Sequence, residues 1–302
     1  MLFRSTPTAL RMFMKFGDAI PNSHDLSSLR LLGSVGEPIN PEVWKWYYTT
    51  IGKSKCPIID TWWQTETGGM MISPLPGLET ILLKPGSGAF AIPGVDLGIV
   101  DESGNPVTSD TKGYLIIRKP WPGMLTTLWG DDEKYKTVYW SKYPNSYYTG
   151  DYAMQDKDGY FWLLGRADDV LKIAGHRIGT AEIESSLVSN QFISEAAVCG
   201  ISDDIKGEAI IAFLVPKEGV LITDMLKSQV IETIRQDIGA IATPKSIYFV
   251  SQLPKTRSGK IMRRLLKAIA SNEQIGDIST LEDGAAVSEI QTAFEDLKKQ
   301  IQ

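Results

Sequence analysis

Between residues 85 and 165, glycine and proline recur too often for a helix of ordinary length to run through. Pro85, Gly86, Gly88, Pro93, Gly94, Gly98, Gly104, Pro106 and Gly113 fall in its first part alone. Glycine gives a helix interior no side chain to hold it, and proline removes a backbone donor and clashes with the preceding turn. What lies between them is short and β-rich. Val95–Val100 and Tyr114–Arg118 read as strands, with Asp101-Glu102-Ser103-Gly104-Asn105 as a turn. Tyr152–Gln155 and Tyr160–Leu164 flank Asp156-Lys157-Asp158-Gly159, a hairpin signal. This β-rich subdomain splits the chain into three stretches of different character.

Upstream, Leu10–Phe16 is helical, and Leu29–Leu32 and Ile58–Ile59 are short apolar runs bounded as buried strands would be. Asn40 followed by Pro41 predicts a capped helix over Glu42–Trp46. Downstream, strand and helix alternate between 180 and 270, the size of a small α+β domain. Thr180–Val188 is helical, and Ala196–Ile201 and Ala209–Val215 are strands around a polar turn. Leu226, Val230, Ile234 and Ile238 line one helix face, Ile247–Val250 is a strand, and Ile261–Ala270 is a helix. The boundary is placed near Asp168–Asp169. In the tail, Val287, Ile290, Phe294, Leu297 and Ile301 make an amphipathic helix, packed on its own domain or on a partner.

Composition excludes several classes. With 43% apolar and 22% charged residues, the 302-residue chain is not disordered as a whole. Two cysteines, Cys56 and Cys199, and two histidines, His24 and His176, exclude a disulfide scaffold and a Cys/His zinc site. A net charge of -5 argues against nucleic acid held by bulk positive charge. No apolar run approaches the roughly 20 residues needed to span a bilayer. A reducing, cytoplasmic setting is the expectation, with no membrane and no nucleic acid as partner.

Five segments carry chemistry or its imitation. Gly52-Lys53-Ser54 resembles the end of a phosphate loop, but Tyr47 stands where that motif needs glycine. Asp60-Thr61-Trp62-Trp63-Gln64-Thr65-Glu66-Thr67-Gly68-Gly69 follows a strand signal and offers indole walls, hydroxyls and a carboxylate for a hard cation. It reads equally as a buried tryptophan pair with a polar turn. Tyr148-Thr149-Gly150-Asp151 places a carboxylate able to accept ribose hydroxyls, or a plain turn aspartate. Gly165–Ile178 combines Arg166 and Arg177 with acids and glycines, which suits phosphate contacts and a hinge, or a solvated charged linker. Pro254–Arg264 is a basic glycine loop opening a helix, able to present Lys260 to an anion, or a charge run.

Taken in order, and with Gly33-Ser34-Val35-Gly36-Glu37-Pro38, the last four of these segments resemble the AMP-forming acyl-CoA synthetases of the adenylate-forming superfamily, and most closely its acetate–CoA ligase branch. The resemblance covers nearly the whole chain. It implies an α/β and α+β architecture: the C-terminal part of the large AMP-binding domain over 1–167, a sheet remnant plus the β-rich subdomain; a small mobile α+β domain over 168–275; and a helical tail over 276–302. It implies ATP, acetate and CoA as substrates, with AMP and pyrophosphate released, and Mg²⁺ as cofactor.

The resemblance also assigns roles. Gly36, Glu37 and Pro38 border the adenine. Asp60, Thr61, Trp62, Gln64 and Thr65 form the adenine and α-phosphate loop, with Thr65 on the phosphate. Val35 and Trp63 line the acyl pocket, and Glu66 holds Mg²⁺. Asp151 and Arg166 contact the ribose, Arg177 a phosphate, and Asp168 is the hinge. Lys260 serves adenylation, Gly175 borders the pantetheine tunnel, and Arg235 meets a CoA phosphate. Ala174 stands where acetate-activating members often carry serine. Relatives are about twice as long and carry an upstream phosphate loop not seen here, so the chain is expected to be a C-terminal portion, cut or encoded apart from an N-terminal half, and inactive alone. A longer acid as substrate is the alternative that Trp63 opposes, since its indole leaves room for little more than a methyl. A non-catalytic chain that binds nucleotide or CoA is the other.

Overall fold

The computed structural model of the chain describes residues 1–256, 260–271 and 273–274. It forms two units: Met1–Leu10 with Phe16–Asp168, and Arg11–Lys15 with the chain from Asp169 onward. The expected tail helix lies outside the described residues.

The first unit opens with β1 (Leu2–Ser5), the first turn of α1 (Pro7–Lys15), α2 (Ala19–Asn22), β2 (Leu31–Val35), α3 (Pro41–Trp46) and β3 (Ile58–Thr61), the rest of α1 being counted with the second unit. The strands form a parallel sheet in the order β1-β2-β3, with Val35 opposite Thr61. Asn40 caps α3 as its sequence predicts, accepting the Val43 N–H at 2.9 Å. One π-helical turn, Tyr47–Ile51, prolongs α3. It carries the fully buried Tyr47, whose hydroxyl lies 3.0 Å from the Phe3 carbonyl and 3.3 Å from that of Gly33.

The glycine-rich stretch is β, with one exception. β4 (Leu97–Val100), β5 (Lys112–Ile117), β6 (Tyr147–Gln155) and β7 (Phe161–Arg166) make an antiparallel meander, and α4 (Asp132–Tyr139) lies in the β5–β6 connection. Leu97, Ile99, Leu115, Ile117, Tyr147, Ala153 and Phe161 alternate into one core, together with Met71 and Ile72. In the β6–β7 turn Asp156 accepts the backbone N–H groups of Asp158 and Tyr160, and Lys84 pairs with both Asp156 and Asp158 at 2.6 Å.

The second unit holds β8 (Val170–Ile173), β9 (His176–Gly179), α5 (Thr180–Ser189), β10 (Ile193–Asp203), β11 (Gly207–Pro216), α6 (Asp224–Asp237), β12 (Ser246–Phe249) and α7 (Arg263–Ala270). The sheet order is β10-β11-β8-β9, with β12 parallel to β11. The two-residue period of β10 and β11 feeds two cores. Ala196, Val198, Ala212 and Leu214 pack with Ile183, Leu187, Val230 and Ile234 of α5 and α6. Ala197, Cys199, Ile211 and Phe213 pack on the opposite face with Leu266 of α7. A strand covered on both faces is apolar throughout, which is why Ala209–Val215 shows no alternation.

Gly165–Ile178 is not the open linker that its charges suggested. It completes β7, makes one 3-10 turn at Ala167–Asp169, and folds into the β8–β9 hairpin. The helix expected from Ile261 begins at Arg263, because Ile261 is bridged to Lys255 instead.

Candidate functional site

Gly36-Glu37-Pro38 follows the carboxyl end of β2, and Trp62–Gly69 follows the carboxyl end of the adjacent parallel β3. Crevices beyond the carboxyl ends of parallel strands are where α/β sheets take ligands. The Thr8 hydroxyl is bonded to the Glu37 carboxylate, and the Thr61 hydroxyl lies 3.3 Å from that of Ser73. Asp60 sits on β3 opposite Ser34, with both side chains buried. Burial pushes the Asp60 carboxyl up to about 7; the neighbouring Ser34 hydroxyl and the Thr61 amide favour its ionised form but do not offset this.

The loop after β3 is held by its own polar groups. The Gln64 N–H donates to the Thr67 hydroxyl oxygen at 3.0 Å, the Trp121 indole donates to the Thr67 carbonyl at 3.1 Å, and the Leu125 N–H to the Glu66 carbonyl at 2.9 Å. Gly68 ends the 3-10 turn Thr65–Thr67 in the left-handed region. Trp63 and Thr65 remain exposed. The Tyr139 hydroxyl donates to Glu66 Oε1 at 2.8 Å.

This loop meets β6 and β7 at Asp151, which is only 9% exposed. Trp62 Nε1 and Gln64 Nε2 both donate to Asp151 Oδ2 at 3.0 Å. Gln64 Nε2 also reaches the Thr149 carbonyl at 2.7 Å, and the Tyr147 hydroxyl donates to Gln64 Oε1 at 3.1 Å, which fixes the amide's orientation. The other carboxylate oxygen, Oδ1, faces Arg166 Nη1 at 3.7 Å. Asp151 and Arg166 are register partners across β6–β7. Burial raises the Asp151 carboxyl to about 6, against the pull of Arg166 and the two donors. Arg166 Nε lies 3.3 Å from Asp168 Oδ1.

In the second unit, Arg177 stands opposite Lys172 in the β8–β9 ladder, and Gly175 lies in that hairpin's turn. Arg235 Nε is 3.4 Å from the Thr243 hydroxyl. Lys260 is exposed, with its N–H on the Thr256 hydroxyl at 3.2 Å.

The first unit therefore gathers Trp62, Gln64, Asp151 and Arg166 from segments far apart in sequence. Sequence reasoning missed Thr67, Tyr139, Thr149 and Trp121 as supports. Thr67 and Thr149 lay inside segments already singled out; Tyr139 sits on α4, whose Asp131 cap was the available signal. Among the described residues no group of three or more His, Cys, Asp or Glu is placed to hold a metal ion. A lone carboxylate such as Glu66 fits Mg²⁺ shared with substrate phosphates rather than a cation held by protein alone. No helix among the described residues is long and apolar enough to cross a membrane.

Residues 1–129 match the AMP-binding enzyme family, and residues 182–260 match the AMP-binding enzyme C-terminal domain. An acetyl-coenzyme A synthetase of Pyrobaculum arsenaticum is 55% identical over 297 residues, covering 98% of this chain and 44% of the relative. That of Chlorobaculum tepidum is 51% identical over 280 residues, covering 92% of this chain and 42% of the relative. A crystal structure of an anthranilate CoA ligase in complex with anthranoyl-AMP superimposes with a TM-score of 0.79 at 31% identity, over 90% of this chain and 50% of that one. The chain thus spans less than half the length of these curated relatives. Matched by both domain models and sharing half its sequence with these relatives, it belongs to the AMP-binding enzyme family.

Proposed function

We propose that the protein carrying this segment is an AMP-forming acetate–CoA ligase. A carboxylate oxygen of acetate attacks the α-phosphorus of ATP, the bond to the bridging oxygen breaks, and pyrophosphate leaves. The CoA sulfur, having lost its proton to solvent, then attacks the acetyl-adenylate carbonyl and AMP departs. The observation that carries this reading is the state of Asp151. Its Oδ2 is saturated by Trp62 and Gln64, while Oδ1 lies 3.7 Å from the Arg166 cation and, among the described residues, accepts no hydrogen bond. An oxygen so prepared suits the hydroxyls of a ribose.

The remaining roles follow the family. Gly36, Glu37 and Pro38 border the adenine, and Asp60, Thr61, Trp62 and Gln64 belong to the adenine and α-phosphate loop. Thr65 and Arg177 take phosphate oxygens. Val35 and Trp63 close the acyl pocket; Trp63 is 49% exposed in this chain. Glu66, oriented by Tyr139, is the carboxylate for Mg²⁺, which when bound neutralises phosphate charge. Lys260 adds positive charge in the adenylation step, where fixed charges are worth about 10²–10³ in rate. Gly175 and Arg235 serve CoA, and Asp168 is the pivot between half-reactions. Both cysteines are buried and free, which fits a reducing cytoplasm, and neither is needed when the thiol belongs to CoA.

The test is acetate-dependent ATP–pyrophosphate exchange, measured with this chain alone and with the chain joined to the upstream sequence of a relative. Exchange in the joined protein that disappears in Asp151→Ala supports the reading. A folded joined protein that turns over no acetate overturns it.

A further inference from the structure

Lys260 is exposed, yet the segment that carries it is fastened on both sides. The strands flanking it form a short antiparallel ladder: the Thr256 N–H donates to the Lys260 carbonyl and the Met262 N–H to the Pro254 carbonyl, both at 2.8 Å, and Lys255 is bridged to Ile261. One end of this ladder is tied by Lys255, whose Nζ lies 2.7 Å from Oε2 of Glu195 on β10, with the two side chains only 14% and 5% exposed. The other end is tied by Arg263, the first residue of α7. Its Nε and Nη2 meet Oε1 and Oε2 of Glu184 on α5 at 2.8 and 2.6 Å. Glu184 is itself fixed, since its Oε1 also accepts the Val198 N–H at 2.9 Å.

Buried ion pairs add little net stability, because desolvation consumes most of the attraction. A planar, bidentate arginine–carboxylate pair nevertheless fixes direction as well as distance, which a lysine in the same place would not. Apolar packing of Leu253, Leu265 and Leu266 already secures the segment to the core. The two carboxylates sit on different elements, and both are spent on residues within five positions of Lys260. Their geometry sets the register of the ladder rather than its burial.

We infer that Arg263 and Lys255 are positioning residues for Lys260: the Arg263–Glu184 and Lys255–Glu195 pairs hold the ladder in one register, so that the lysine is presented at a fixed point rather than on a loose loop. The inference rests on the assignment of Lys260 to the adenylation half-reaction. It predicts that loosening the clamp slows that half-reaction and spares the second.

The experiment uses Arg263→Lys and the neutral pair Glu184→Gln with Arg263→Met, beside Lys260→Ala. Hydrogen exchange in the 302-residue chain reads the clamp directly. The Thr256 and Met262 amides should exchange at least tenfold faster in both clamp variants, with β10–β11 amides unchanged. In the protein completed with upstream sequence, acetate-dependent pyrophosphate exchange should fall at least tenfold, while supplied acetyl-adenylate plus CoA yields acetyl-CoA within twofold of wild type. Unchanged amide exchange overturns the clamp. Loosened amides with undiminished pyrophosphate exchange overturn the positioning role, as does an equal fall of both half-reactions. If Lys260→Ala itself leaves pyrophosphate exchange intact, the functional assignment of Lys260 fails, and the clamp is then judged by amide exchange alone.

Discussion

The indole N–H of Trp62 donates to Asp151 Oδ2 at 3.0 Å across 89 residues of sequence. One partner follows β3 of the parallel sheet, and the other lies on β6 of the meander. A hydrogen bond to an ionised carboxylate is worth about 1.5–3 kcal/mol. Here it also opposes the burial that raises Asp151 to about 6. Trp62→Phe keeps the aromatic bulk and deletes the donor. The Asp151 midpoint should rise by about one pH unit, at about 1.4 kcal/mol per unit. Carboxyl NMR of the chain, titrated from pH 4 to 8, measures it. Trp63→Phe, one residue away, should leave the midpoint in place.

Asp60 makes stability depend on pH in the opposite sense to a salt-bridged carboxylate. Its native carboxyl is raised to about 7 from an ordinary value of 3.8, so the folded state holds the proton more tightly than the unfolded chain. Its contribution is full below pH 4 and is lost as pH rises toward 7. Asp60→Asn cannot lose that proton. The variant should gain on wild type by up to about 1.4 kcal/mol for each pH unit between about 4 and 7. Urea unfolding of both proteins at pH 5 and pH 7.5 checks the sign. A variant that weakens relative to wild type over that interval shows an ionised Asp60 stabilised in the fold.

Gly68 ends the loop that carries Gln64 and Glu66. Its φ is +67°, and a Cβ there would stand 1.9 Å from the Gly123 carbonyl oxygen. Gly68→Ala therefore meets both a left-handed backbone, which costs an L-residue about 1–2 kcal/mol, and a backbone clash. The expected loss is about 2 kcal/mol or more, with an increase in Trp121 fluorescence exposure as its bond to the Thr67 carbonyl opens. At Gly69 the nearest contact is the Trp121 ring at 3.9 Å, so Gly69→Ala should be almost silent in the same melts.

The parts legible in the sequence share a cause: a local pattern with one physical solution. Asn40-Pro41 could only start a helix, Asp156–Gly159 could only turn, and Ala209–Val215 had to be buried on both faces. The helix over residues 132–139 is masked in the sequence by the glycine and proline that dominate around it. The Asp131 side chain, accepting the Lys134 N–H at 3.1 Å, starts a helix there regardless. The hairpin at 170–179 was hidden by its charges: Lys172 and Arg177 face each other across the ladder, and only pairing reveals that they lie on strands. Within the site, the individual residues were visible, but their convergence was not. Nothing local in Tyr148–Asp151 says that Asp151 receives an indole from one loop and a guanidinium from another strand.

The turn of that hairpin supplies the last prediction. Ile173 and His176 close a two-residue connection in which Ala174 has φ +47° and Gly175 φ +84°. Two successive positive φ values are the mark of a turn matched to the twist of its strands, for which Asn-Gly is the preferred pair. Glycine satisfies the second position, whereas alanine is strained at the first. The strain is retained because the Ala174 N–H is fixed on the Lys206 carbonyl at 2.7 Å. Asparagine tolerates the left-handed region through its short polar side chain. Ala174→Asn should stabilise the second unit by about 0.5–1 kcal/mol, while Gly175→Ala should destabilise it by about 1–2 kcal/mol. The second change meets no atom within 4 Å, so its cost isolates the backbone. Urea melts of the two variants should move in opposite directions from wild type. If Ala174→Asn also lowers stability, the turn does not hold the left-handed geometry in solution, and Lys172 and Arg177 are not locked in one ladder register.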